Sequence, residues 1–504
     1  MRERAVRYRG GGRHYPSGAI PLARLEIGFP DRQTCGIDCA GKGMVRPMET
    51  SSRGGRSRIR WTLLQIAHLA SGNATAIGIG MVTLALMAHM LGPALLGLLA
   101  MVEAYGRFMD QIIRLETWQA VIRYGADALE AGDDDRFAEL VGFGIALDII
   151  GALAAGTVAL LAIPLVGSWI GWGTEAQTMA AFYAIVVVFG ISSTPTGVLR
   201  LFDRFALIAW LDPVLAVLRL IAVALVWALG GSVWELLAIA IAVPCLQRVT
   251  LAVMAWHELR RRGYRIRPRF DALINTGKFE GIWMFIVSAN GAVLVRKSTQ
   301  ELDILAVGAV AGPIGAGIYQ LVRKFTLAAM KAGAMLQQVV FPDLARLWAR
   351  RDLLGFANAI RQIELLTLCV GVAFVVGVIF AGDIAIRLIA GPEFEDAAGP
   401  LVVQSIAALL FLAGSALRPA LMTMGLQPKV LGVAIVAGTA FFVTLYVAIP
   451  ALGVSGAGIA HIAFNLLWLA GSLALFVGAM RRERAVADAA PESHSPALRP
   501  PARG

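Results

Sequence analysis

Apolar residues along this chain do not alternate with polar ones at the period of a half-buried helix or strand. They run together in stretches of about 20 residues, the length a helix needs to cross the hydrocarbon core of a bilayer. Twelve such stretches are predicted, centred on 62–88, 93–114, 139–166, 177–199, 207–229, 233–255, 277–296, 302–327, 361–382, 397–425, 428–450 and 454–479. The pattern therefore predicts an all-α polytopic membrane protein. Short segments rich in Gly, Pro or Arg separate the stretches.

Charge is unevenly placed. Arg200 and Arg204, the run Arg260, Arg261, Arg262, Arg265, Arg267 and Arg269, then Arg346, Arg350 and Arg351, and finally Arg481, Arg482 and Arg484 all fall between spans on one predicted side. The loops around 167–177, 229–233 and 450–455 hold no Lys or Arg. Cytoplasmic loops of membrane proteins are enriched in these residues, so the pattern predicts both termini inside. Trp169, Trp172, Trp234 and Trp256 lie near predicted span ends, where an aromatic belt belongs, although packing in the core would serve each equally well.

Composition agrees with the spans: 58% of residues are hydrophobic, 16% are charged and the mean hydropathy is +0.69. The net charge of +11 is largely terminal, since residues 1–60 hold 13 Lys or Arg against 5 Asp or Glu. A basic terminus beside a span suits anionic headgroups, and without a basic-aromatic module it predicts no nucleic-acid partner. Residues 1–60 lack hydrophobic periodicity and read as a disordered cytoplasmic segment, with Met44 and Met48 marking an alternative translation start. The expected organisation is a basic amino terminus at 1–60, a six-helix lobe at 61–256, a basic inter-lobe loop at 257–275, a second six-helix lobe at 276–480 and a tail at 481–504. An even number of spans per lobe keeps the two copies in the same orientation.

Chemistry for an enzyme is absent from the pattern. No P-loop, no H-E-x-x-H and no clustered His and Cys occur, so neither a cofactor nor a metal is expected. Polar residues inside the spans are the informative ones, because an ionised group at mid-bilayer needs a partner or a wet cavity. Glu103, Arg107, Asp110 and Arg114 share one face of the second span by their spacing. Asp148, Asp212, Arg219, Asp303 and Arg418 are further examples. Arg219 and Arg418, flanked by apolar sequence, are expected to face a central cavity. Buried guanidinium groups suit an anionic cargo such as a phosphate or pyrophosphate bearing sugars.

Several segments carry a family resemblance: Met90-Leu-Gly-Pro-Ala-Leu-Leu-Gly-Leu-Leu-Ala100, Leu115-Glu-Thr-Trp-Gln-Ala-Val-Ile-Arg-Tyr-Gly125, Leu199-Arg-Leu-Phe-Asp-Arg-Phe205 and Leu302-Asp-Ile-Leu-Ala-Val-Gly308 with Gly317-Ile-Tyr319. Further along come Phe341-Pro-Asp343, Gly391-Pro-Glu-Phe-Glu-Asp-Ala397 and Gly453-Val-Ser-Gly-Ala-Gly-Ile-Ala460. In order and spacing they resemble the O-antigen and exopolysaccharide flippases of the multidrug/oligosaccharidyl-lipid/polysaccharide (MATE/MOP) exporter superfamily. The resemblance implies two six-helix lobes around a cavity. It also implies outward flipping of polyprenyl-pyrophosphate-linked oligosaccharide in the bacterial inner membrane by alternating access.

On that reading Arg219, Arg418 and Arg107 hold the pyrophosphate, while Asn73, Gln404 and Asn465 contact sugars. Glu103, Asp110, Asp148, Asp212 and Asp303 are the acidic groups of the cavity or of coupling to H+ or Na+. Membrane lipids and a glycan polymerase are the expected partners. Two alternatives stand beside it: a cation-coupled drug or metabolite exporter of the same superfamily, and a membrane glycan polymerase or ligase.

Overall fold

In the computed structural model, residues 55–273, 279 and 281–489 are described. Their side chains are described from 75 onward, apart from Gln427 and stretches within 288–349 and 484–489. Contacts separate Met1–Arg58 from Ile59–Gly504, and the fold below is that of the second unit. Ten helical stretches among the described residues are long and apolar enough to cross a membrane. In chain order the α-helices are α1 (Gly55–Ile113), α2 (Trp118–Glu130), α3 (Asp134–Ile170), α4 (Thr174–Val188), α5 (Ser193–Leu201), α6 (Phe205–Ala228) and α7 (Val233–Arg261). They continue with α8 (Ile282–Ala349), α9 (Leu353–Ala390), α10 (Ala398–Ala413), α11 (Leu417–Thr423), α12 (Gln427–Leu452) and α13 (Val454–Ala489).

Two of these helices are broken in the same way. Gly92 in α1 has φ 63° and ψ −179°, and Gly312 in α8 has φ 71° and ψ −176°, a region of backbone space essentially closed to residues with a Cβ. Proline follows each, and a proline both disfavours helix at the preceding residue and starts the next helix well. Each break divides one long helix in two, which is consistent with the twelve spans expected. The second break corrects one boundary. A loop is expected between 296 and 302, where polar residues interrupt the apolar run, whereas Glu301 lies within helix and the chain turns at Gly312.

The halves meet where these breaks lie. A Cβ on Gly97 would overlap the carbonyl of Pro313, and a Cβ on Gly317 would overlap that of Pro93. Each of these glycines stands five residues past its break. The contact is reciprocal, as a twofold relation between two like lobes requires. Only the missing side chains let the two backbones approach so closely, as at other small-residue crossings in membranes.

Burial sorts the helices into inner and outer ones. The most apolar windows of the stretches holding α4–α5, α8 and α10–α11 are 61%, 56% and 56% buried, against 17% for α6 and α9. The outer helices present large apolar side chains such as Leu161, Phe380 and Leu388 outward, which is stable only against lipid. Of the four tryptophans near span ends, Trp172 packs edge-on to Tyr105 in the core, while Trp169, Trp234 and Trp256 are exposed.

Between spans, amphipathic pieces anchor the ends. The short helix α2 buries Ala120, Val121, Tyr124 and Ala128. The basic segment after α7 is held by Tyr264, whose hydroxyl donates to Asp134 at 2.7 Å and whose ring lies 4.9 Å from that of Phe137. Burial first, then this bond to a carboxylate, pushes that hydroxyl's pKa up to about 12.

Gly317→Val forces two backbones apart at the crossing. It is expected to lose at least about 1–3 kcal/mol of stability, the usual range for overpacking, read as a lower thermal midpoint in detergent. Gly78→Ala, which meets open space, leaves that midpoint unchanged.

Candidate functional site

The polar face predicted on the second span is real, and it is part of a longer chain of charges. Glu103 accepts from Arg219 of α6 at 3.3 Å and from Arg107 at 3.0 Å. Arg107 Nε donates to Glu301 of α8 at 3.0 Å. The other oxygen of Glu301 lies 3.9 Å from Arg323, which donates to Asp303 at 3.2 Å. Asp303 also accepts from the Tyr319 hydroxyl at 2.7 Å and lies 3.2 Å from His461 Nε2 of α13. Three arginines thus alternate with three buried carboxylates across the centre of the molecule. Alternation offsets the cost of placing six charges away from water, since each group has an opposite neighbour on at least one side.

Beside this ladder lies a cavity of about 310 Å3, walled by α1, α6, α7 and α8. Its polar lining is Thr83, Glu103, Asp212, Arg219, Gln247, Gln320 and Lys324. Gln247 donates to Asp212 at 2.7 Å. Lys324 makes no ion pair within 4 Å with any described carboxylate, and the buried Nε of Arg219 has no hydrogen-bond partner. Arg323 and Lys324 are adjacent in sequence and so point about 100° apart on the helix, one into the ladder and the other into the cavity. A second, much smaller cavity of about 40 Å3 is lined by Asp303, Arg323, Thr326, Gln404, His461 and Asn465 among others.

Other charges in the spans close breaks in the helices. Between α4 and α5 the backbone is irregular, and free carbonyls there must find donors inside the protein. Arg248 of α7 donates to the carbonyl of Val186, Arg114 donates to that of Gly190, and Asp110 holds both arginines at 2.9 and 3.1 Å. Asp148, fully buried, accepts from the Thr194 amide at 2.8 Å and the Thr117 hydroxyl at 3.1 Å. The second half repeats the device at the break between α10 and α11. There Glu364 of α9 accepts from the amides of Ala416 and Leu417 at 2.8 and 3.1 Å.

A family model described as polysaccharide biosynthesis protein matches residues 64–348, more than half of the chain and all of the ladder except His461. The chain belongs to this family. Among relatives of this polysaccharide biosynthesis protein, "Inner membrane protein YghQ" of Escherichia coli (strain K12) is 28% identical over 340 residues, 66% of this chain and 93% of that one. The structure of the lipid II flippase MurJ in an inward closed conformation superposes with a TM-score of 0.64 at 12% identity, covering 84% of this chain and 92% of MurJ. An inward-facing multidrug resistance MATE transporter of the MOP superfamily gives 0.58 at 15% identity, over 84% and 96% of the two chains. The fold is therefore the one these two structures share.

The residues singled out from this family member's sequence part company in space. Arg219, Arg107 and Glu103 come together, Asp212 faces the same cavity, and Asp303 ends the ladder. Gln404 and Asn465 line the small cavity instead, and Asn465 donates to the carbonyl of Ala407 at 2.8 Å. Arg418, half-buried on α11 beside the amides that Glu364 caps, lines neither cavity. Asp110 and Asp148 serve helix breaks. The side chain of Asn73 lies outside the described residues.

Glu301, Lys324, Arg248 and His461 were missed as site residues. Residues 297–301, Glu301 among them, lie in the gap between two predicted spans.

Asp110→Ala leaves two buried arginines without their carboxylate and is expected to cost about 3–5 kcal/mol, seen as loss of monodisperse protein or a collapsed thermal midpoint. Glu364→Ala orphans two amides, at about 1–3 kcal/mol for each buried group left unpaired. Glu364→Gln keeps the accepting oxygen and so loses less.

Proposed function

We propose that this protein flips a polyprenyl-pyrophosphate-linked oligosaccharide from the cytoplasmic to the periplasmic leaflet of a bacterial inner membrane by alternating access. The observation that carries the reading is the unpartnered Arg219 Nε together with the unpaired Lys324 ammonium on one central cavity. Both groups are donors without acceptors, set where water is scarce, and an anionic head supplies what they lack. Arg107, one residue along the ladder through Glu103, is the third donor. At about 310 Å3 the cavity is at the lower end of ligand pockets, which suits the diphosphate link rather than the whole saccharide.

The polyprenyl tail stays in hydrocarbon throughout, so the protein need shelter only the head. Moving negative charge outward runs down an inside-negative potential, worth about 2.3 kcal/mol per charge per 100 mV. Coupling to H+ or Na+ adds to that drive. The basic loops support an orientation with both termini in the cytoplasm, where the enzymes that build the lipid-linked unit work, while a glycan polymerase takes it on the far side. A lipophilic-cation exporter fits less well, because a cavity for cations gains nothing from a free ammonium and a free guanidinium N–H.

Arg219→Ala and Lys324→Ala each remove a charge-assisted hydrogen bond worth about 1.5–3 kcal/mol, roughly a ten- to hundredfold loss of affinity. Binding of a polyprenyl pyrophosphate to the purified protein, and its flipping in proteoliposomes, are expected to fall accordingly at normal protein yield. Unchanged binding in both variants overturns the assignment.

A further inference from the structure

The two halves touch along a seam between the second side of α1, after Gly92, and the first side of α8, before Gly312. Met101 packs over Gly308, Arg107 pairs with Glu301, and Asn290 exchanges two hydrogen bonds with the backbone of Glu116, at 2.7 and 3.2 Å. Residue numbers rise on one helix as they fall on the other, so the two run antiparallel in register. The corresponding seam on the other side of the Gly97–Gly317 crossing differs. There Gly80, Thr83 and Met87 face Gln320 and Lys324 across the cavity.

Among the described residues Arg107–Glu301 is the one ion pair that joins the halves. Each of its members has a second opposite charge: Glu103 for Arg107, and Arg323, 3.9 Å away, for Glu301. From Gly97 to Arg107 the helix rises about 15 Å, which gives this pair leverage over the seam away from the crossing.

Resting on the flippase reading, we propose that Arg107–Glu301 is a latch that the anionic cargo opens. A diphosphate seated on Arg219 and Lys324 draws Arg107, since one guanidinium cannot serve Glu103, Glu301 and the phosphate equally. Glu301 then closes onto Arg323, which is already within an ångström of ion-pairing distance, so Glu301 is not left alone in the membrane. Asp303 tolerates sharing Arg323 because it keeps Tyr319, the Ile304 amide at 2.6 Å and His461. The exchange costs little in either direction, and it makes the closed seam conditional on an empty site. A ligand shifts a two-state equilibrium only by its differential affinity, and competition for Arg107 is that difference.

The test is a cysteine pair, Met101→Cys with Gly308→Cys, in a full-length background without other cysteines, cross-linked in membranes with and without added polyprenyl pyrophosphate. The expected result is that the lipid lowers the cross-linking yield by roughly three- to tenfold, the population shift that follows loss of one partly buried ion pair. Glu301→Gln, isosteric and uncharged, is expected to give the low yield without lipid. Asn290→Ala, at the same seam but outside the ladder, is expected to keep the lipid response and so controls for folding. A wild-type seam indifferent to a lipid that binds normally overturns the latch while leaving the flippase reading intact. Glu301→Gln cross-linking as wild type does the same, whereas failure of the lipid to bind at all overturns both.

Discussion

A hydrocarbon interior offers no water to an unpaired charge or to a free backbone amide, and every unusual feature of this protein answers to that constraint. The ladder from Arg219 to His461 is its largest expression. Six alternating charges on three helices, with His461 of a fourth at the end, satisfy one another in sequence, so that none is stranded and none is tightly exclusive. Such an arrangement is poor as a source of stability, because desolvation cancels most of the attraction. It is well suited to exchanging partners, because moving one charge by an ångström or so hands an ion pair to the next neighbour.

The same constraint governs the broken helices. Interrupting a span exposes carbonyls and amides that a soluble protein would leave to solvent. Here Arg114 and Arg248 cover the carbonyls before α5, and Asp148 covers an amide at its start. Glu364 covers two amides at the start of α11. Both halves thus break an inner helix and staple the break with a carboxylate from the helix before it in the half. These are the charges whose removal damages the fold, whereas removal of Lys324 leaves no partner behind. Rigid joints and replaceable ion pairs are both supplied by one rule of pairing.

The halves are held apart and together by glycine. Gly97 and Gly317 bring two backbones into contact, and Gly92 and Gly312 turn the chain at matching points. Nothing larger fits at the crossing, so the halves have a fixed point of contact near the two breaks. Changes elsewhere along the seam are changes about that point.

Most of the architecture was legible along the chain, because crossing a bilayer demands a run of apolar residues whose length is set by the membrane rather than by neighbours. The apolar spans, the two Gly-Pro breaks and the polar face of Glu103, Arg107 and Asp110 are all visible in one dimension. Which polar residues share a site is another matter. Glu301 interrupts an apolar run as a loop would, and its pairing with Arg107, nearly 200 residues away, shows it inside a helix. Arg219 and Arg418 look alike in sequence, each an arginine in apolar surroundings. One faces the cavity and the other sits at a helix joint, because pairing in a low-dielectric interior is decided by distances across the fold, and a sequence carries residue types but not those distances.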